Sequence, residues 1–158
     1  MTVDGREFRN ALGTFATGIC VVTAFPENGK PIGMTVNSFA SVSLDPGLVL
    51  WSIQNNSECF SIFEQANRFA INILADDQQD VSNLYAAKGS HELVTSHYRL
   101  GLGGTAVIRG AVTSFECEMW ARYPGGDHLI LVGEVKQFET NTNKQPLLFN
   151  AGQYRHLR

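Results

Sequence analysis

Cysteine is scarce and badly arranged for cross-linking: Cys20, Cys59 and Cys117 are odd in number and widely spaced. They contain no C-x-x-C pair and have no histidine at metal-ligand spacing, so a disulfide framework and a zinc site are both excluded and buried reduced thiols are expected. The four histidines, His91, His97, His128 and His156, form no H-x-x-x-H or H-E-x-x-H pattern, which argues against a metal enzyme. Positive charge is also short, with 12 Lys plus Arg against 15 Asp plus Glu and a formal charge of -3. Such a balance fits poorly with neutralising many phosphates, so nucleic-acid binding is not expected. No apolar run approaches the roughly 20 residues of a membrane span, and the opening MTVDGREFRN lacks the apolar stretch of a signal peptide. A cytoplasmic protein with no membrane partner is therefore expected. P-loop and G-x-G-x-x-G motifs, internal repeats, low-complexity tracts and linkers are all missing.

What is present is apolar and turn-rich: 44% hydrophobic residues, 10 phenylalanines and 15 glycines in 158 residues. That length fits a single domain spanning 1–158. Phe8, Leu12 and Phe15 stand at i, i+4 and i+7, which predicts an amphipathic helix from about Asp4 to Ala16, ended by Gly18 and lying on the core. ICVVTAF and the run from Pro31 to about Ala40 flank the turn former Pro26-Glu27-Asn28-Gly29 and predict a hairpin. After Asp45-Pro46-Gly47, LVLWSIQ is nearly all apolar and predicts a strand buried on both faces. Ser57 is expected to cap a short helix carrying Phe60 and Phe63, and RFAINIL returns to a strand.

ADDQQDVSNLYAAKG begins with acids, places Val81, Leu84 and Tyr85 on one face and ends in Lys88-Gly89, as a helix should. Residues 89–106 lack a clear period and predict an irregular excursion, a lid or a subunit-contact arm. Alternation then predicts one strand from Val107 to Arg122, turned by Pro124-Gly125-Gly126-Asp127 into a partner from His128 to Glu139, with a last short strand near Pro146 to Tyr154. The sum is a mainly β protein, a six- or seven-stranded antiparallel barrel with a few short peripheral helices.

Three places offer chemistry. Gly33 to Ser43 sets Thr35, Asn37, Ser38, Ser41 and Ser43 among apolar residues. Such hydroxyl and amide groups can hold a polar ring edge or a phosphate, although Ser and Thr are also ordinary on half-exposed strands. Ser52, Gln54, Asn55, Asn56 and Ser57 follow a strand and precede a helix, where free N–H groups could meet an anion, or where Ser57 simply caps its own helix. His128, in Gly126-Asp127-His128, starts a strand after a tight turn and can reach a barrel mouth, although a lone histidine is more often a structural hydrogen-bonding residue.

Taken together, FRNALGTFATGICVVTA, GMTVNSFASVSLDPGLVLWSIQNNS, RFAINIL, DDQQDVSNLYA, FECEMWARYPGGDHLILVGEV and PLLFNAGQYR resemble the short-chain flavin reductases, which have an FMN-binding split barrel. Proteins of that family supply reduced flavin to two-component monooxygenases. The resemblance implies an NAD(P)H:flavin oxidoreductase that moves a hydride from a nicotinamide nucleotide to FMN or FAD. It also implies a homodimer and a separate monooxygenase partner. By the same resemblance the flavin contacts are Gly33, Met34, Thr35, Val36, Asn37, Ser38, Ser41, Ser52, Gln54, Asn55, Ser57, Cys59 and Phe60. His128 is implied as the catalytic and nicotinamide-binding residue, with Tyr154 near the same pocket. Gly103-Gly104-Thr105-Ala106 departs from relatives that often carry a proline there. No Arg or Lys pair stands ready to read a ribose 2′-phosphate, so NADH is favoured over NADPH. A non-enzymatic flavin-binding barrel acting as an electron carrier is the alternative, and it would leave Gly126-Asp127-His128 and Gly152-Gln153-Tyr154 without a nicotinamide role.

Overall fold

Seven strands form one antiparallel sheet in a computed structural model that describes residues 2–89 and 91–158. In chain order the elements begin with α1 (Gly5–Gly13), β1 (Thr17–Gly18), β2 (Cys20–Ala24), β3 (Ile32–Val36), β4 (Ala40–Leu44) and β5 (Gly47–Gln54). They continue with α2 (Phe60–Gln65), β6 (Arg68–Ile73), α3 (Gln79–Ala86), a 3₁₀ turn (Thr95–His97), β7 (Tyr98–Leu100) and β8 (Ala106–Ile108). The chain closes with β9 (Thr113–Gly125), β10 (His128–Thr140), β11 (Leu148–Asn150) and β12 (Gln153–Arg155). The main sheet runs β3-β2-β6-β9-β10-β5-β4. Its two edges, β3 and β4, are joined by residues 37–39 alone, so the sheet must curl until its edges lie within about 14 Å of each other at that end. No ladder joins β3 to β4 among the described residues, which leaves the barrel split along that seam.

Inside the curl pack Cys20, Val22, Trp51, Ile53, Phe69, Ile71, Cys117 and Leu131. The Trp51 indole meets the Phe63 ring edge-on at a centroid distance of 4.8 Å. Each such side chain contributes about 1.5–3 kcal/mol by leaving water. A second cluster, with Ile19, Val21, Leu74, Val81, Tyr85 and Leu93, covers the outer face of β2 beneath α3. The strand buried on both faces is therefore β2, whose five residues are all buried, and not β5. In β5 only Val49, Trp51 and Ile53 turn inward, while Leu48, Leu50 and Ser52 stay half-buried on the other face.

Several sequence expectations need correction. α1 is shorter than predicted and ends before Gly18, which lies in β1. Its apolar stripe does not lie on the core: Phe8, Leu12 and Phe15 are 54%, 59% and 77% exposed, because the barrel interior is already filled by the sheet's own side chains. Ser57 precedes α2 by three residues and accepts the Cys59 N–H in a turn, so it caps no helix. The buried face of α3 is Val81, Ser82 and Tyr85, and Leu84 points outward. The strand expected from Val107 to Arg122 is broken between β8 and β9. The excursion expected to be irregular carries the β7–β8 ladder, and the terminal strand is a hairpin, β11–β12. By contrast, the β9–β10 turn is as tight as expected: Gly125 pairs with His128, and Gly126 at φ +68 supplies the left-handed residue that this two-residue turn needs. No described helix is long and apolar enough to cross a membrane.

Candidate functional site

A cleft of about 390 Å³ opens beside the seam, a size within the range of small-molecule sites. One wall is the end of β3 and the linker after it, Met34 to Ser38; the facing wall is Ser52 to Gln54 with Asn56, Ser57 and Glu58. Ala86, Ala87, Lys88 and His91 close one side, and His128 stands at another. The two hydroxyl-rich stretches thus meet because β3 is one edge of the split sheet, β5 lies one strand in from the other edge, and Ser38 in the linker between β3 and β4 bonds Ser52 of β5.

Two of the hydroxyls on these walls, those of Ser38 and Thr35, already give their protons away. Ser38 Oγ donates to the Ser52 carbonyl at 3.1 Å and accepts the Ser52 N–H at 2.9 Å, so it pairs with β5 as a strand backbone would. Thr35 Oγ1 donates to the Ser82 carbonyl at 2.7 Å. Each hydroxyl has one proton, so both can offer a ligand only a lone pair. Asn37, Gln54 and Asn56 line the same walls and bring amides that can donate. A flavin ring edge alternates carbonyl acceptors with an N–H donor, and this mixture of neutral donors and acceptors fits it.

His128 lies with Nδ1 2.6 Å from Asp127 Oδ1. That contact holds the Asp127 carboxyl below its ordinary range and fixes the ring with Nε2 as its free nitrogen. The turn is tied to the wall as well: the Asn55 N–H donates to the Asp127 carbonyl at 2.9 Å, and Asn55 Nδ2 donates to the Gly126 carbonyl.

Of the residues expected at the site, Met34, Thr35, Val36, Asn37, Ser38, Ser52, Gln54, Ser57 and His128 line the cleft. Six others do not. Gly33 is buried behind it, with its N–H and carbonyl both bonded to His91 and with Leu93 packed where a side chain would go. Ser41 faces solvent on the edge strand opposite Val49, and the Asn55 side chain turns to Gly126. Cys59 is buried and Phe60 packs on the barrel core; their N–H groups, expected to meet a phosphate, are taken up by the Ser57 hydroxyl and carbonyl. The Tyr154 hydroxyl bonds Ser82 and Asn83 of α3 at 2.8 Å each, bracing the helix behind the Thr35 wall.

Sequence reasoning missed Lys88 and His91 as lining residues; Glu58, beside Ser57 in the chain and a charge that would oppose an anion if it pointed inward, does line the cleft. Glu58 Oε2 accepts from the Gly89 N–H and from His91 Nε2, both at 3.0 Å. The Gly89 bond, with His91 and Lys88 nearby, holds the Glu58 carboxyl below its usual range. The partners lie 31 and 33 residues from Glu58, and no local pattern points across such a gap.

Residues 12–158 match the family model described as flavin reductase like domain. The chain is 44% identical over 151 residues to FMN reductase (NADH) SmoA of Agrobacterium fabrum (strain C58), covering 96% of this chain and 85% of that protein. A longer relative from Rhizobium meliloti (strain 1021) is 42% identical over 151 residues, and the chain spans only 48% of its length. Among solved structures, flavin reductase PheA2 in its native state superposes with a TM-score of 0.89 at 38% identity, over 99% of both chains. The NADH:FAD oxidoreductase SgcE6 of Streptomyces globisporus C-1027, in complex with NAD and FAD fragments, gives 0.91 at 33% identity, over 100% of this chain and 97% of the other. A split antiparallel sheet with a polar cleft at its seam thus coincides with matches across nearly the whole chain, and the chain belongs to the flavin reductase family.

Proposed function

We propose that this chain is an NADH-dependent flavin reductase that passes a hydride from reduced nicotinamide to FMN or FAD and delivers the reduced flavin to a separate flavin-dependent monooxygenase. The observation that carries this reading is the cleft itself, where Met34 to Ser38 and Ser52 to Ser57 set neutral donors and acceptors opposite one another with His128 at the rim. When bound, the flavin supplies the hydride acceptor; the chain supplies orientation and exclusion of water. Thr35 and Ser38 accept from the ring edge, Asn37 and Gln54 donate to it, and Met34 and Val36 give it apolar contact. His128, oriented by Asp127, holds the nicotinamide nucleotide through Nε2. Tyr154 serves the same pocket at one remove, through Ser82 and the Thr35 wall. Among the described residues, the walls at Met34 to Ser38 and Ser52 to Ser57 bring no Lys or Arg to the ring, which suits a flavin that must dissociate to reach its oxygenase. The 158 residues act as one unit in the cytoplasm, paired as a homodimer that covers the exposed stripe of α1.

Mixing the purified chain with NADH and FMN, FAD or riboflavin, and following NADH absorbance with NADPH in parallel, tests the reading. Rapid flavin-dependent oxidation, faster with NADH than with NADPH, is expected. Flavin binding without oxidation would leave the carrier barrel as the function.

A further inference from the structure

Glu58 is oddly placed for a site that receives phosphorylated nucleotides. Its carboxylate lines the cleft, yet Oε2 is held by a backbone N–H from Gly89 and by His91 Nε2, both at 3.0 Å, while Oε1 has no hydrogen bond among the described residues. Lys88, adjacent in the chain, lines the same end of the cleft. An amide N–H and an imidazole converging on one oxygen, with a lysine at the same end of the cleft, make up a phosphate-binding set, and the oxygen that the first two hold belongs to the protein. His91 is fixed from behind, with Nδ1 3.1 Å from the Gly33 carbonyl and its own backbone paired with the Gly33 N–H. His91 is therefore held in place, whereas the Glu58 side chain is 48% exposed and can swing into solvent.

We propose that the Gly89 N–H, His91 and Lys88 form the phosphate subsite of the cleft, and that Glu58 occupies this subsite in the empty protein and is displaced when a nucleotide phosphate enters. The inference rests on the flavin reading above and adds to it a built-in competitor. Glu58 keeps the donors satisfied when no ligand is bound, and its displacement lowers affinity for phosphorylated flavin without touching the ring contacts. An enzyme that must release reduced flavin gains a reason for an acid in a phosphate site.

The test compares FMN with riboflavin, which share a ring and differ in the phosphate. Dissociation constants for both are measured by fluorescence quenching on the whole chain carrying Glu58→Gln, Lys88→Ala or His91→Ala, with thermal unfolding checked for each. Expected for Glu58→Gln is FMN binding tighter by roughly tenfold with riboflavin unchanged; for Lys88→Ala and His91→Ala, FMN weaker by roughly tenfold with riboflavin unchanged. NADH KM with riboflavin as acceptor distinguishes the source of the phosphate. A fall in that KM for Glu58→Gln, with FMN affinity unaltered, would keep the subsite and assign it to the nicotinamide nucleotide. Parallel loss of FMN and riboflavin affinity in Glu58→Gln would make Glu58 a strut of the wall and overturn the proposal. Equal effects of Lys88→Ala on both flavins would also overturn it. Failure of wild type to bind either flavin would instead sink the flavin reading beneath it.

Discussion

Two glutamates in this molecule do the same local chemistry in different surroundings. Glu116 on β9 accepts at Oε1 from the Gly103 N–H, the Thr105 N–H and the Thr105 hydroxyl, at 3.0, 3.3 and 2.6 Å, and is only 6% exposed. Glu58 holds Gly89 by its N–H and His91 by its ring at the edge of an open cleft. Each carboxylate therefore organises a glycine-bearing loop by standing in for a missing strand partner. The buried one cannot readily exchange its donors, because Glu116 and Thr105 are almost wholly removed from solvent, at 6% and 4% exposure. The exposed one can, and it lies where a ligand is expected. Burial, more than bonding pattern, separates a structural clasp from an exchangeable one.

The largest effect that would break this comparison is at Glu116. Glu116→Ala orphans two backbone N–H groups and a hydroxyl in a buried place, and about 3 kcal/mol or more of stability should be lost. Glu116→Gln keeps an acceptor and should lose less. Urea unfolding measures both, and Glu58→Gln should leave the midpoint nearly where it was. Equal losses at the two glutamates would mean that exposure does not separate them.

Next in size is Gly101→Ala. A β-carbon there would lie 2.3 Å from Glu116 Oε1, and that oxygen cannot move aside because three donors hold it. About 1–3 kcal/mol should be lost, without change in flavin affinity. A neutral result would show that the 101–105 loop is softer than its bonds imply.

On the cleft side, His128→Ala should lower kcat/KM for NADH by roughly tenfold and leave the flavin dissociation constant nearly unchanged. Its only side-chain partner among the described residues is the exposed Asp127, so unfolding should barely respond. Unaltered NADH kinetics would remove His128 from the nicotinamide site.

The parts of the molecule written in short-range pattern could be read from sequence. Alternation found β9 and β10, Pro124-Gly125-Gly126-Asp127 found their turn, and the hydroxyl-bearing runs at 33–43 and 52–57 each reach a wall of the cleft, the first only through Met34 to Ser38. α1 misled because periodicity reports an apolar face and not what covers it. β5 misled because leucines at half-buried positions look like core in one dimension. Residues 91–106 looked irregular because much of their order comes from distant partners: the Pro31 carbonyl accepts the Leu93 N–H at 2.8 Å, and Glu116 holds Gly103 and Thr105. His91 escaped for the same reason. Clasps between distant residues leave no local spacing to find, and the cleft's charged rim consists mostly of such clasps.

The smallest effect reads both regions at once, because a buried thiol follows each glutamate. Burial, with the neighbouring carboxylate adding to it, pushes Cys117 up to about 12 and Cys59 up to about 11. Neither thiol is ionised near neutral pH in the closed protein, so labelling by a thiol-selective reagent requires local opening. Cys59 sits behind the exposed clasp and Cys117 behind the buried one. Cys59 should therefore label faster at pH 8, Glu58→Gln should speed Cys59 alone, and saturating FMN should slow Cys59 alone. Cys20, also raised to about 12 by burial in the core, serves as the internal reference for global unfolding. Peptide-resolved labelling that found all three thiols reacting together would mean that the two loops open only with the whole barrel, and the distinction between a fixed and an exchangeable clasp would then have no dynamic basis.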